Sequence, residues 1–330
     1  MGRIVVITGS SAGVGRATAF EFARRGDDVA LLARNAERLE DLAAKLRAMG
    51  VRALAIPTDV ADSEAVKQAA DRVENELGPI DVWINAAMAT IFGAVGTISA
   101  AEFRRATEVT YLGQVYGTVV ALERMKTRDR GTIINVGSAL AYRSVPLQSA
   151  YCGAKFAVRG FTDSLRSELL HDRSRIHLTM VHLPAVNTPQ FDWAMNKTGH
   201  RAQPVPPIFQ PEVAARAIAF AATCRRREVW VGFSSIKAIV GNMIAPGLLD
   251  HYLAHFGYSS QMAEERLPMN PPSNLFESVP GHATSHGRFD SQARPQSLEM
   301  ATSRHRNAIA AGVIGLGLLS LARLLRRRSG

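Results

Sequence analysis

The chain has 330 residues, of which 47% are hydrophobic, and carries a formal net charge of +10. This length suffices for one large α/β domain with additional segments, and the hydrophobic content suffices for a sizeable core. Residues 300–330 hold six arginines and no acidic residue, so the rest of the chain carries a formal net charge of +4. The sequence has no basic face with interleaved aromatic residues, the pattern that would indicate a nucleic-acid-binding protein.

Short β-rich runs alternate with amphipathic stretches over the first 235 residues. Strands are predicted at 4–8, 29–33, 53–57, 82–85, 132–137, 176–182 and 229–232. Helices are predicted at 13–25, 36–49, 63–77, 101–126, 149–170 and 211–224. This alternation predicts parallel βαβ units, and therefore an α/β fold in which helices cover both faces of a parallel sheet.

Three further segments are predicted after this domain of residues 1–235. Residues 236–267 form a helical extension, and residues 268–306, rich in Pro, Ser, His and Arg, form a largely disordered linker. Residues 307–328 are mostly apolar and are a candidate membrane-anchor helix, with an amphipathic or core-docking helix as the alternative. Arginines flank this segment at both ends, so its orientation stays open.

The N-terminus leads directly into the first strand, and no signal peptide is predicted there. We therefore expect a membrane-associated protein with its catalytic domain in the cytoplasm, or alternatively a soluble cytoplasmic protein. Residues 187–210, rich in Pro, Gly and polar residues, are predicted to form a mobile loop that covers a substrate. Phe191 and Trp193 in this loop are expected to line an apolar pocket or to anchor the loop.

A glycine-rich turn follows the first strand. Its residues are Thr8, Gly9, Ser10, Ser11, Ala12, Gly13, Val14 and Gly15. Glycines at these positions let the backbone turn tightly and approach a pyrophosphate, which then lies at a helix N-terminus. The turn therefore predicts a dinucleotide site, to which the hydroxyls of the two serines can contribute.

The residues after the second, third and fourth strands predict which dinucleotide binds and how. Ala33-Arg34 ends the second strand, where an acidic residue would bind the ribose 2′-hydroxyl of NAD; Arg34 can instead pair with the 2′-phosphate of NADP(H). Asp59-Val60 is placed to bind the adenine edge, and Asn85-Ala86-Ala87 to lie near the adenosine ribose.

Three residues form a predicted catalytic set. Tyr151 and Lys155 are four apart in a helical stretch and so share one helix face. A nearby ammonium favours the phenolate, so Lys155 is expected to draw the pKa of Tyr151 toward working pH. Ser138 ends the fifth strand, at the carboxyl edge of the sheet, where its hydroxyl can hold a carbonyl oxygen for Tyr151.

These residues together make the chain resemble the short-chain dehydrogenase/reductase family over residues 1 to about 235. The resemblance rests on the glycine-rich turn, Asp59-Val60, residues 85–87, Ser138, Tyr151 to Lys155, and Pro184 to Thr188. It implies one Rossmann-type domain with strand order 3-2-1-4-5-6-7, transfer of the 4-pro-S hydride, and a homo-oligomer. It also implies that Thr188 meets the nicotinamide carboxamide, and that Lys155 binds the nicotinamide ribose.

The chain departs from the family pattern at three places. Asn85-Ala86-Ala87-Met88 stands where the family usually has Asn-Asn-Ala-Gly, and Ala185 replaces a glycine. Thr110 stands where the family usually has an asparagine that supports a water linking the catalytic lysine to solvent. The hydroxyl of Thr110 can still hold such a water, so Thr110 is counted with the catalytic residues, and whether the proton relay is intact stays open.

Two functions follow from these observations. The first is an NADP(H)-dependent reductase or dehydrogenase acting on an apolar carbonyl or alcohol, such as a lipid, steroid or retinoid. The alternative, suggested by residues 85–88 and Thr110, is a catalytically weak dinucleotide-binding scaffold or redox sensor at a membrane. No metal site is expected, because His177 and His182 have opposite strand parity and the only cysteines are Cys152 and Cys224.

Overall fold

A seven-stranded parallel sheet organises the structure, a computed structural model that describes residues 2–281, 284–297, 299–300 and 302. The strands are β1 (Ile4–Thr8), β2 (Asp28–Ala33), β3 (Ala53–Pro57), β4 (Val82–Asn85), β5 (Thr132–Ser138), β6 (His177–Leu183) and β7 (Glu228–Trp230). Their spatial order is β3-β2-β1-β4-β5-β6-β7, and every adjacent pair is parallel. The predicted Rossmann-type α/β fold is confirmed.

The central strands are apolar along their length because both faces of the sheet are covered. All five residues of β1 are buried, which is typical of a parallel strand between two layers of helices. Val5 and Ile7 pack on one side of the sheet, and Ile4 and Val6 pack on the other. Thr8 pairs with Asn85 of β4, so the carboxyl ends of neighbouring strands meet at one edge.

Ten helices are described around this sheet and beyond it. They are α1 (Gly13–Ala23), α2 (Ala36–Arg47), α3 (Ser63–Glu76), α4 (Ala100–Thr107), α5 (Gly113–Lys126), α6 (Ser149–His171), α7 (Gln190–Trp193), α8 (Pro211–Ala221), α9 (Phe233–Ile244) and α10 (Pro246–Phe256). Asn35 caps α2 by accepting a hydrogen bond from the Arg38 amide. One face of the sheet packs on α1, α2 and α8, and the other on α3, α5 and α6.

The long helix predicted over residues 101–126 is interrupted in the structure. A π-helical turn, Glu108–Leu112, separates α4 from α5. The Thr110 hydroxyl, at the centre of this turn, donates to the Ala89 carbonyl (2.8 Å) and accepts from the Ala89 amide (2.9 Å). The interruption therefore accompanies a tertiary contact with the chain after β4, which periodicity in the sequence does not report.

The region after β6 contains more regular structure than a loop. Residues 187–210 include α7 and short strands that pair with distant segments, among them Met195–Asn196 with Ile91–Phe92. The helical extension predicted at 236–267 contains most of α9 and all of α10, followed by the strand Met262–Arg266. These elements stand beside the carboxyl edge of the sheet, where the predicted site lies.

The described residues of the linker predicted at 268–306 lie against the domain. The Leu275 side chain is fully buried, and the short strand Ala293–Arg294 pairs with Ile208–Phe209. The Gly13 amide at the start of α1 donates to the Thr284 carbonyl (3.0 Å). The structure thus differs from the expected disorder at 274–281 and 284–297, because backbone groups of this segment find partners on the domain despite its low apolar content.

The candidate anchor helix at 307–328 lies outside the described residues. Among the helices that the structure does describe, none has the length and apolar character needed to span a membrane.

Candidate active site

The glycine-rich turn forms a tight connection between β1 and α1 that only glycine permits. A Cβ on Gly15 would lie 2.2 Å from the Gly9 carbonyl oxygen, and one on Gly9 would lie 2.7 Å from the Ala87 Cα. Gly9 and Gly13 also have positive φ angles of 70° and 55°. The N-cap residue of α1 is Ala12, whose side chain offers no oxygen to the first amides. The Gly13 amide donates to the Thr284 carbonyl in this structure, and the rest of the turn fits an anionic group such as a pyrophosphate.

A large cavity, of about 1520 Å³, extends from this turn across the carboxyl edge of the sheet. Pockets for one small ligand usually measure roughly 300–1,000 Å³, so a dinucleotide and a substrate can share this cavity. Most of the predicted site residues line it: Gly9, Ser11, Gly13, Val14, Gly15, Arg34, Asp59, Val60, Ala86, Ala87, Ser138, Tyr151, Lys155 and Thr188. Ser10, Asn85 and Thr110 do not line it.

Ser10 and Asn85 have other partners than those predicted. The Ser10 side chain is fully buried, and its hydroxyl faces the Leu32 carbonyl at 3.4 Å. The Asn85 amide lies inside the domain, where it donates to Asn135 Oδ1 (2.8 Å) and accepts from Trp83 Nε1 (2.8 Å). The Asn85 side chain, which ends β4, therefore points into the core, and that residues 85–87 lie near the adenosine ribose stays a prediction.

The end of the cavity at Arg34 and Asp59, which we call the adenosine end after its predicted occupant, holds several charged groups. Asp59 lines it, but its carboxylate accepts hydrogen bonds from Arg105 (2.5 Å) and from the Ala61 amide (3.0 Å). The Arg34 guanidinium donates to the carbonyls of Asn274 and Phe276. Burial lowers the pKa of Arg34, Asp59 raises it and Arg105 lowers it further. The guanidinium nevertheless stays charged at any working pH.

Arg38 is a further cation at this end that the sequence prediction missed. It lies one helical turn after Arg34, and this spacing was the available signal. Its guanidinium donates to the carbonyls of Gly281 (2.7 Å) and Pro280 (3.0 Å), and it lies 5.0 Å from the centroid of the Trp193 ring. Trp193, expected in a substrate pocket, therefore packs at the adenosine end.

The predicted catalytic residues come together on one wall of the cavity. Ser138 ends β5, and its hydroxyl accepts from the Leu140 amide (3.1 Å) and forms a hydrogen bond with Tyr151. Tyr151 and Lys155 lie on α6, with Lys155 Nζ 5.5 Å from the centroid of the Tyr151 ring. Lys155 Nζ donates to the Val136 carbonyl (2.6 Å). A substrate oxygen can thus reach a serine and a tyrosine hydroxyl together.

Burial shifts the pKa values of Tyr151 and Lys155, the two titratable residues of the predicted catalytic set, in opposite directions. Burial lowers the pKa of Lys155 to about 7. Burial also raises the pKa of Tyr151 well above its usual value, and the hydrogen bond with Ser138 only partly opposes this. The structure therefore differs from the expectation that Lys155 draws the tyrosine pKa down, because desolvation dominates where the ammonium bonds to a backbone carbonyl rather than to the phenol.

Comparison with known proteins decides the family. The model of the short chain dehydrogenase family matches residues 3–198. An uncharacterized oxidoreductase of Bacillus subtilis, YxnA, is 31% identical over 99% of this chain and 91% of its own length. The chain belongs to the short-chain dehydrogenase family.

Two further relatives of this short-chain dehydrogenase are informative. Estradiol 17-beta-dehydrogenase 11 of Macaca fascicularis is 32% identical over 51% of this chain and 56% of its own. The solved alcohol dehydrogenase of the archaeon Thermococcus sibiricus, complexed with 5-hydroxy-NADP, superposes with a TM-score of 0.61 at 25% identity, covering 70% of this chain and 96% of its own.

Thr110 occupies a structural position in this short-chain dehydrogenase. Its hydroxyl is fully buried and exchanges two hydrogen bonds with Ala89. Because a hydroxyl has one hydrogen, Thr110 has none left to donate to a water beside Lys155. Its part in a proton relay stays a prediction.

A buried polar cluster lies behind Ser138 in this short-chain dehydrogenase. His182 Nδ1 lies 3.1 Å from the Ser138 carbonyl, which can only accept, so Nδ1 carries a proton. Its Nε2 lies 3.5 Å from the Glu228 carboxylate, which also accepts from Trp230 Nε1 (2.8 Å) and from the Tyr142 hydroxyl. A Cβ on residue 137 would lie 2.6 Å from His182 Nδ1, so Gly137 makes room for this contact.

The far side of the cavity, beyond Ser138 and Tyr151, is mainly apolar. It is lined by Leu140, Val145, Val205, Phe233, Leu249, Tyr252 and Leu253, together with Arg143, Gln148 and Lys237. Half of these come from α9 and α10, to which the sequence prediction assigned no role, and Val205 comes from residues 187–210, which were predicted to cover a substrate. Among the described residues, no group of His, Cys, Asp and Glu side chains could hold a metal ion.

Proposed function

We propose that this short-chain dehydrogenase interconverts a carbonyl and an alcohol with NADP(H) as the hydride carrier. The observation that carries the proposal is the convergence of Ser138, Tyr151 and Lys155 on a cavity that also contains the glycine cradle. Relatives named as oxidoreductase and dehydrogenase support the same reaction class.

The chemistry that a bound nicotinamide dinucleotide supplies here is the transfer of a hydride. Ser138 holds the substrate oxygen by a hydrogen bond, and Tyr151 donates a proton to that oxygen during reduction or removes it during oxidation. Lys155 holds the ribose hydroxyls, and in its charged form it favours the phenolate of Tyr151. Burial places the pKa of Lys155 at about 7, so its charge changes near neutral pH.

NADP(H) is the proposed dinucleotide because cations and not carboxylates surround the adenosine end. Arg34 and Arg38 both line the cavity, and the acidic residue there, Asp59, is paired with Arg105. A 2′-phosphate would gain two charge-assisted contacts at this place. The solved relative from Thermococcus sibiricus is complexed with an NADP derivative, which supports the same choice.

An apolar substrate is proposed from the lining beyond Tyr151. Leucine, valine and aromatic side chains predominate there, and such walls bind hydrocarbon surface without a polar cost. The relative named estradiol 17-beta-dehydrogenase 11 supports a steroid, with lipids and retinoids as the other members of this substrate class.

The test is NADPH oxidation over a panel of apolar ketones and aldehydes, with Tyr151→Phe as the decisive variant. Loss of a general acid is expected to lower the rate by about 10²- to 10⁴-fold, while NADPH affinity stays the same. Tyr258→Phe, which removes the same atom from a tyrosine that is 46% exposed, is the matched control and should keep full activity. Equal activity of wild type and Tyr151→Phe on every substrate would contradict the proposal.

A second candidate is a dinucleotide-binding scaffold or redox sensor with weak catalysis. The raised pKa of Tyr151, caused by burial, favours it, since a phenol that holds its proton tightly is a poor acid. NADPH binding at micromolar concentration without turnover of any substrate in the panel would select this candidate.

Membrane attachment through residues 307–328 and homo-oligomer formation also belong to this proposal. The first rests on the apolar character of that segment, and the second on family membership. Both stay predictions.

A further inference from the structure

A segment near the C-terminus forms the outer wall of the adenosine end of the cavity. We call residues 274–281 the strap. Leu275, the only strap side chain that is fully buried, packs with the cluster that contains Val60 and Val109. Backbone groups of the strap are held at both sides: the Asn274 amide donates to the Trp193 carbonyl (2.8 Å), and Arg105 Nε donates to the Leu275 carbonyl (3.1 Å).

The strap also binds both cations of the proposed 2′-phosphate site. Arg34 donates to the Phe276 carbonyl (2.7 Å) and to the Asn274 carbonyl, and Arg38 to the carbonyls of residues 280 and 281. Within the described part of the chain, neither guanidinium forms an ion pair with a carboxylate; Asp59 and Glu37 act on them only at longer range. Neutral carbonyls therefore fix two guanidiniums without neutralising their charge.

The strap encloses this end of the cavity and does not fill it. The lining of the cavity includes Arg34 and Arg38 together with Asn274, Ser278 and Val279 of the strap. Both guanidiniums thus contact the strap directly and also border open cavity, where a ligand can reach them. Because the guanidiniums are partly removed from water, an added phosphate meets them in a setting of lower dielectric constant, where charge interactions are stronger.

We propose that the strap determines cofactor specificity: it holds Arg34 and Arg38 in place for the 2′-phosphate of NADP(H), and it must move aside each time the cofactor exchanges. This inference rests on the proposed function. NADH has no 2′-phosphate and gains nothing from the two guanidiniums, so loss of the strap weakens NADPH binding selectively. Loss of the strap also speeds the dissociation of NADPH, because the two guanidiniums no longer hold its 2′-phosphate in place.

The test compares Leu275→Asp with Met269→Asp in the full-length protein. The first change places a carboxylate in a buried apolar position and detaches the strap; the second makes the same chemical change at a residue that is 99% exposed. Dissociation constants for NADPH and NADH, and the NADPH dissociation rate, are measured by cofactor fluorescence. Leu275→Asp is expected to weaken NADPH binding by about 10- to 100-fold, the value of one or two charge-assisted hydrogen bonds, and NADH binding by less than about threefold.

Leu275→Ala protects the test against a variant that fails to fold, because it removes the same side chain without adding charge. Its NADPH dissociation rate should lie between those of wild type and Leu275→Asp. Equal weakening of NADPH and NADH, an unchanged NADPH dissociation rate, or tighter NADPH binding in either variant would overturn the inference. A wild-type protein that binds NADH but not NADPH would instead contradict the proposed cofactor itself.

Discussion

At the scale of single residues, the site depends on a lysine buried in a setting that disfavours its charge. Burial lowers the pKa of Lys155 to about 7, and its ammonium is satisfied by the Val136 carbonyl. The unfolded chain would hold this proton up to a pH of about 10.4. Between these values the unfolded state binds more protons than the folded state, so this residue lowers the stability of the folded protein.

Lys155→Met is therefore expected to abolish turnover while leaving the cofactor-free protein at least as stable as wild type at pH 7. The difference in free energy of unfolding between Lys155→Met and wild type should shrink as pH rises from about 7 to about 10. Over this range Lys155 loses its proton in the unfolded wild-type chain, so the cost of burying it disappears. Urea unfolding at a series of pH values measures this. A stability difference that does not change with pH would show that burial of charge is not its cause.

The sequence predicts Ser138, Tyr151 and Lys155 as a catalytic set, but not the direction in which burial shifts the tyrosine pKa. Residue type and spacing carry the prediction of the set, whereas the pKa shift depends on how much protein surrounds the phenol. The direction of the Asn85 side chain escapes the sequence for a related reason. Its position after β4 puts its backbone near the cavity, but the strand directs its side chain to a buried network with Asn135 and Trp83.

At the scale of elements, the π-helical turn between α4 and α5 shows why one predicted helix became two. Periodicity indicated a continuous helix because both halves bury the same face of the sheet. The interruption brings Thr110 against Ala89, and it puts Gly113 so close to Val60 that a Cβ would lie 2.7 Å from Val60 Cγ2. Such close approaches between distant segments leave no periodic signal.

Thr110→Val tests this turn, because valine keeps the shape and loses both hydrogen bonds. The unsatisfied Ala89 groups are expected to cost about 1–3 kcal/mol in the free energy of unfolding. Urea denaturation gives the value, and Thr110→Asn should recover most of it because an amide can also donate and accept. Thr127→Val, at a hydroxyl exposed at the end of α5, is the control. If Thr110→Val is as stable as Thr127→Val, the two hydrogen bonds between Thr110 and Ala89 do not stabilise the protein.

At the scale of the whole molecule, the sheet order followed from family resemblance and the helical layers from sequence pattern. The extension was harder to predict. Residues 274–281 belong to a longer stretch, 268–306, that is rich in Pro, Ser, His and Arg, which is typical of disorder, but their backbone carbonyls accept from arginines more than 200 positions earlier. Composition reports side-chain hydrophobicity, and this segment is held mainly through its backbone.

Glu228 ties the edge strand β7 to the rest of the protein and should set its stability in acid. Burial alone would raise the pKa of Glu228, but the neighbouring His182 and the hydrogen bonds from Tyr142 and Trp230 outweigh it and hold the pKa well below its usual range. A carboxyl with a depressed pKa stabilises the fold above about pH 4.3, the unfolded value, and this contribution is lost as pH falls further.

Glu228→Gln is expected to lower the free energy of unfolding at pH 7 by about 1–3 kcal/mol, because a neutral amide oxygen accepts the hydrogen bonds from Tyr142 and Trp230 less strongly than a carboxylate does. The difference from wild type should narrow below about pH 4, where the wild-type carboxylate loses its advantage. Thermal unfolding from pH 3 to pH 8 measures both. Parallel pH profiles for the two proteins would exclude this carboxylate as a source of acid sensitivity.

The contact between Arg34 and the Phe276 carbonyl joins groups that are 242 positions apart. On a ribosome, β7 is complete at Trp230 and residue 274 is added 44 residues later, which takes about 2 to 9 s at roughly 5–20 residues per second. All seven strands and the catalytic residues thus exist in the nascent chain before the adenosine end can close. A polypeptide released early, or cut between α10 and residue 274, would keep the sheet and the catalytic set with this end permanently open.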